Sequence, residues 1–253
     1  MRRTKIAEVM ALLVVFWAGM GRAALAAGAG ASGRSGTGSM GTGIEGVVHF
    51  EGAHPKLKPI LMNQDAYCMK VNQGATVYFQ DEEVNSNNTL PNVFIYVESG
   101  LKNYHAQAPS AVVTLNQIKC MYAPHVLGIM VGQKLKVVSS DLTTHNIHAM
   151  PKNNRSWNQS QTPGAPPFTK VFTHTEIMVP VKCNQHPWMS AYIGVVSNPF
   201  YAVTGNRGTY SIEGLPPGHY TIGAWTAAFG TATEQVDVEA GRVATLDFTF
   251  HGR

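Results

Sequence analysis

The feature that most constrains this chain is a recurring one: short alternating or β-branched runs, each closed by glycine or proline. From Gly43 onward the runs are Gly46–Phe50, Val93–Val97, Lys134–Val138, Thr209–Ile212, His219–Ile222 and Val243–Phe248. Period-two alternation suits a strand with one face buried, and β-branched residues fit the pleated surface of a sheet. Turn chemistry separates the runs, for example Gly205-Asn206-Arg207-Gly208 and Leu215-Pro216-Pro217-Gly218. No stretch shows the 3.6-residue period of an amphipathic helix. Many short strands spaced by turns predict an all-β fold, an antiparallel sandwich or barrel. With 44% hydrophobic and 13% charged residues, the chain has the means to fill a core, which excludes wholesale disorder.

Residues 1–26 read as an export signal peptide. Arg2, Arg3 and Lys5 precede a short apolar stretch from Val9 to Trp17, and Ala24-Leu25-Ala26 gives the small-x-small pattern that a signal peptidase cuts. An uncleaved anchor is the competing reading, against which the shortness of the apolar run argues. Residues 27–42, dominated by glycine, alanine, serine and threonine, read as a flexible linker. Export places the chain in the periplasm or outside the cell, where disulfides persist. The net charge of +4 comes mostly from the leader, where Arg2, Arg3, Lys5 and Arg22 oppose Glu8. The remainder is near neutral and offers no basic nucleic-acid surface. No later apolar run reaches membrane-spanning length, so no membrane span is expected after signal removal.

Cys183-Asn184-Gln185-His186-Pro187-Trp188-Met189 places a thiolate, an imidazole and a thioether at every third residue. Soft sulfur together with nitrogen suits copper, and blue-copper sites combine two histidines and a cysteine with a weak axial methionine. One loop cannot supply the second histidine. Asp141-Leu142-Thr143-Thr144-His145-Asn146-Ile147-His148, just past the run Lys134–Val138, offers it. Any one of these residues alone is more often structural, since buried cysteine is usually inert and methionine usually fills core. Their joint pattern favours copper over a metal-free sandwich.

The region from about Leu115 to Val196 resembles a cupredoxin. Its ligand loop is similar to the short Cys-x-x-His-Pro-x-Met loop of the amicyanin type, and His145-Asn146-Ile147-His148 is similar to the upstream His-Asn-Val-His of that type. The resemblance implies a Greek-key β-sandwich with a mononuclear type 1 copper, held by His145, Cys183 and His186 in the plane and Met189 on the axis. It implies that His186 is the electron port, its ring edge near the surface among Pro187, Trp188, Met150 and Pro151. Asn146 is expected to tie the two ligand-bearing loops together, or else to be an ordinary turn asparagine. His148 is expected to point away from His145 and to support the site or lie at the surface. Gln185 stands where the amicyanin type has proline, so its N–H is expected to donate toward the Cys183 sulfur. A binuclear centre would want a second cysteine in the loop, which leaves Cys68 and Cys120 free to pair as a disulfide. Two separate buried thiols are the alternative.

Residues 203–225, which carry Val203-Thr204-Gly205-Asn206-Arg207-Gly208-Thr209-Tyr210-Ser211-Ile212 and Leu215-Pro216-Pro217-Gly218-His219-Tyr220, resemble the carboxypeptidase regulatory-like, transthyretin-like domain. That family opens with a Gly-x-Val strand and a Val-x-Val strand. The matching elements here, Gly46-Val47-Val48 and Val93–Val97, lie far upstream. The resemblance therefore implies a small sandwich in two parts, 43–104 and 199–251, around a cupredoxin at 105–198; modules in plain succession are the alternative. The function implied is one-electron transfer with a redox partner protein. No nucleophile or open catalytic metal position is visible, so an enzyme is not expected. A copper-holding or delivery protein competes with this, although clustered methionine tracts are lacking. So does a non-redox module whose regulatory-like sandwich binds a glycan or protein, with Tyr220 and Trp225 read as core rather than sugar platform. His125 reads as a core or surface residue rather than an extra metal contact, and Asn153–Phe168 as a long connection that shields copper, docks a partner or does neither. The Asn-x-Ser/Thr tripeptides at Asn87, Asn154 and Asn158 matter only in a eukaryotic secretory route.

Overall fold

The computed structural model describes residues 41–102 and 104–252, so the expected signal peptide and most of the linker lie outside the described residues. The chain opens with β1 (Gly43–Glu51), helix α1 (Ala66–Val71) and β2 (Phe94–Ser99). The middle supplies β3 (Val113–Ile118), β4 (Met121–Ala123), β5 (Val126–Met130), β6 (Lys134–Ser139), β7 (His145–Ala149), β8 (Trp157–Gln161), β9 (Phe168–Val171), β10 (Glu176–Lys182) and β11 (Ser190–Val196). The end supplies β12 (Tyr201–Val203), β13 (Thr209–Glu213), β14 (Gly218–Thr226), β15 (Gly230–Val238), β16 (Val243–Thr245) and β17 (Phe248–His251). The fold is all-β, as the alternating runs predict. The short α1 escapes a search for periodicity because six residues are too few to display one. Asp65 caps it, its Oδ1 accepting from the Cys68 N–H at 3.0 Å.

Strand pairing sorts these elements into two sandwiches. In one, β1 runs antiparallel to β13 and parallel to β16 and β17, while β2 lies between β12 and β14 with β15 at the edge. The opening strands thus complete sheets built from the end of the chain. Val243–Phe248 is not one strand. The ladder breaks at Leu246 and Asp247, where Asp247 Oδ1 accepts from the Val47 N–H at 2.7 Å and the Leu246 carbonyl accepts from the Tyr210 hydroxyl. Ile44, Val48, Phe50, Ile95, Ile212, Ile222, Phe248 and Phe250 fill the space between the sheets. Tyr220 belongs to this core, and Trp225 rests against Tyr192 with ring centroids 4.9 Å apart.

The other sandwich joins a sheet ordered β5-β11-β10-β7-β8 to one ordered β4-β3-β6-β9. Leu115, Leu135, Val137, Ile147, Val179, Val181 and Ile193 form its core. The Asn153–Phe168 segment is not a plain connection, because β8 lies within it and pairs with β7 from His145↔Gln161 to Ala149↔Trp157. Polar residues on both faces hide this strand from a hydrophobic-pattern reading. The two sandwiches share a seam of Phe94, Tyr96, Val126, Met130, Met178 and Val196. Gly128 and Gly194 lie opposite each other in the β5–β11 ladder, and a Cβ on either would overlap the rings of Phe94 or Tyr201. Glycine here permits close approach. Among the described residues no helix is long and apolar enough to cross a membrane.

Candidate metal centre

Two loops at one end of the second sandwich build the site. His145 opens β7, fully buried, and Cys183 follows β10 directly. The loop after Cys183 closes on itself: the Met189 N–H donates to the His186 carbonyl at 2.9 Å and the Cys183 N–H to the Met189 carbonyl at 3.2 Å. That closure leaves Asn184, Gln185 and Pro187 exposed while Cys183, His186 and Met189 are buried. His145 Nδ1 lies 2.9 Å from His186 Nδ1, which lies 3.8 Å from Cys183 Sγ. One ligating atom from each of the three residues falls within 4.8 Å of the others.

Both outer ring nitrogens are held by carboxylates. His145 Nε2 donates to Asp141 Oδ2 at 2.9 Å, and His186 Nε2 donates to Asp65 Oδ2 at 3.2 Å. With each Nε2–H committed to a carboxylate, both Nδ1 atoms face one another and the sulfur, as proton donors when a ring is charged and as lone pairs when it is neutral. Lone pairs at that separation repel unless a proton or a cation lies between them. The donor set, two imidazoles and a thiolate, therefore fits one metal ion.

Burial opposes charge on these groups, and hydrogen bonding overrides it. Burial lowers the pKa of His145, but its bonds to Asp141 and Cys183 push it up to about 9. Burial raises the Cys183 thiol, but hydrogen bonds from His145, His186 and the Asn146 backbone bring it down to about 5. Burial likewise raises Asp65, which the Cys68 N–H, Thr143 and His186 bring down to about 2. Cys183 is thus a thiolate at neutral pH, the form that binds metal.

Asn146 ties the two loops. Its Oδ1 accepts from the Asn184 N–H at 2.7 Å and lies 3.3 Å from Cys183 Sγ, while its own N–H lies 3.5 Å from that sulfur. Its Nδ2 donates to Asn158 Oδ1 at 2.6 Å, so β8 reaches the site after all. His148 Nδ1 meets Asn184 Oδ1 at 3.2 Å and braces the ligand loop from outside. His125 lies elsewhere, between the Ser190 carbonyl and Asp81 Oδ1, each at 3.0 Å. Cys68 and Cys120 form a disulfide, and Cys183 is the free cysteine.

Three expectations need correction. His186 is not a surface port: it is 3% exposed, with Asp65 across its outer nitrogen and the Trp188 ring 5.0 Å away. Trp188 is no docking surface either, being buried with its Nε1–H donated to the Cys120 carbonyl at 3.0 Å. Gln185 is exposed, and the backbone donors to the Cys183 sulfur are Asn146 and His186. Sequence reasoning missed Asp65 and Asp141. Asp141 was findable, four residues before His145, since a buried ligand histidine usually needs a carboxylate or carbonyl behind it. Asp65 is 121 residues from His186, and nothing local marks it.

Comparison with known proteins finds both expected resemblances. The family model for the carboxypeptidase regulatory-like domain matches residues 186–251. That span begins in the ligand loop and includes β11, which pairs with β5 and β10 in the second sandwich. No curated protein matches the chain. Similar solved structures include a copper-containing nitrite reductase from Thermus scotoductus SA-01, at 19% identity over 39% of this chain and 25% of that one, with a TM-score of 0.33. The chain thus spans about a quarter of the reductase. A purple cupredoxin from Nitrosopumilus maritimus is 21% identical over 33% of this chain and 98% of its own, with a TM-score of 0.29. A reduced amicyanin mutant is 16% identical over 40% of this chain and 97% of its own, with a TM-score of 0.30. The case for a metal comes from the side chains themselves.

Proposed function

We propose that this is an exported one-electron carrier that would hold a single type 1 copper with His145, Cys183, His186 and Met189. The observation that carries the reading is the convergence of two Nδ1 atoms and a thiolate in a buried site, with both Nε2 positions already committed to carboxylates. Bound there, copper would supply a Cu(II)/Cu(I) couple tuned by its donor set and by the hydrogen bonds around the Cys183 sulfur. The protein's part is to keep the donors where they are. β7, the closed loop and the Asn146 bridges hold them in one arrangement, so little has to move when an electron arrives. The reading takes the chain as a cupredoxin at 105–198 set into a regulatory-like sandwich formed by 43–104 and 199–251, and as a carrier rather than an enzyme. A redox partner would approach the exposed edge at Asn184, Gln185 and Pro187, since His186 is covered.

Voltammetry of the copper-loaded mature chain tests this. A reversible one-electron wave, with electron exchange to a small redox protein, is the expected result. A protein that binds copper but cannot be cycled by oxidants and reductants would favour the holding or delivery reading instead.

A further inference from the structure

We propose that Asp65 is a positioning residue for the copper centre: reaching in from the segment between β1 and β2, its carboxylate fixes the His186 ring and lowers the reduction potential. The inference rests on the copper reading above and concerns what this chain adds to it. Asp65 belongs to neither ligand loop. It caps α1, whose buried residue is Cys68, and the disulfide to Cys120 fastens this segment to the turn between β3 and β4. The same bond connects the two histidine supports. The Cys68 N–H donates to Asp65 Oδ1 at 3.0 Å and the Cys120 N–H to Asp141 Oδ2 at 2.7 Å, while the two carboxylates hold His186 and His145 respectively. Asp141 also accepts from the Lys119 N–H at 2.7 Å, so removing it disturbs a turn. Asp65 caps α1 in the same way, but its segment is held by the disulfide, and a free-thiol count checks that tether in each variant.

The charge argument fixes the sign. Oxidised copper carries one more positive charge than reduced copper, and a carboxylate hydrogen-bonded to its ligand favours the more positive state. Because His186 is buried, water and salt screen this little. Asp65 Oδ2 is shared between His186 Nε2 at 3.2 Å and the Thr143 hydroxyl at 2.7 Å. Loss of that hydroxyl leaves more of the carboxylate's charge to His186.

The test is the midpoint potential of copper-loaded wild type, Asp65→Asn, Asp65→Leu and Thr143→Val, with the thiolate-to-copper absorption band and a free-thiol count on each. Asp65→Leu should shift the exchange equilibrium with a reference couple at least tenfold toward Cu(I), about 59 mV for one electron. Asp65→Asn should shift it less, and Thr143→Val should shift it the opposite way. One free thiol in every variant shows the segment still tethered. Potentials within twofold of wild type, bands intact, overturn the proposal and leave the copper reading standing. So do shifts of one sign in all variants, or a band lost from the Asp65 variants alone, either of which marks a loosened site rather than a tuned one. A wild type without the band removes the copper reading itself, and this proposal with it.

Discussion

The two sandwiches obey the same strand rules but bury different things. Among the described residues, the sandwich built on β1 and β2 buries polar side chains that are mostly threonines, tied to backbone or to asparagine side chains. Thr204 Oγ1, for example, donates to the Leu90 carbonyl at 2.8 Å and accepts from the Val93 N–H at 2.9 Å. The sandwich of β3 to β11 buries Asp141, His145, His186, Glu176 and the Cys183 thiol. An unpaired buried charge costs several kcal/mol, so such groups persist only where each has a partner, as each does here. The difference teaches that two sandwiches of like architecture can differ in what they bury: among the described residues, paired carboxylates, imidazoles and a thiol lie buried in the one and not in the other.

Removing the disulfide should have the largest effect. Cys68→Ser with Cys120→Ser opens a loop closed across 52 residues, and urea unfolding should show a loss of about 4 kcal/mol in the chain-entropy description. The loss should fall on the sandwich of β3 to β11, sharpening the comparison. Ile222→Ala, in the other core, should cost about 3 kcal/mol and leave the copper absorption band unchanged. A changed band would break the separation between that core and the candidate metal centre. Gly194→Ala tests the seam. Its methyl would meet the Phe94 ring, and a loss of about 2 kcal/mol in thermal unfolding is expected.

The smallest effect concerns pH. Glu176 accepts from the Lys152 and Asn153 N–H groups at 2.6 and 2.9 Å. Burial raises its pKa, but these bonds and Asn154 hold it below its ordinary 4.5. A carboxylate depressed in the fold stabilises in full above that value and loses the contribution as pH falls through the folded pKa. Glu176→Gln should therefore be less stable than wild type by about 1 kcal/mol at pH 7, with the gap closing as the solution is acidified below 4.5. A gap independent of pH would contradict the assignment.

The strands were legible because their alternation is local, and so was the convergence of His145, Cys183 and His186, since a loop and one upstream histidine carry it. Cys68 and Cys120 could be paired from compartment and count. What stayed hidden depends on contacts across long separations. Asp65 meets His186 only because α1 is tethered there, and the covering of that histidine follows from the same contact. β8 stayed hidden for another reason, four of its five residues being polar. Gln185 misled because the choice of which N–H meets the sulfur is set by a loop turn that spacing does not encode.

The central claim is most directly tested by the visible absorption spectrum of the mature chain on addition of Cu(II), beside Cys183→Ser. The account predicts a strong thiolate-to-copper band in the wild type that is absent from the variant. A colourless wild type that retains no copper, or the same spectrum from both proteins, would contradict it.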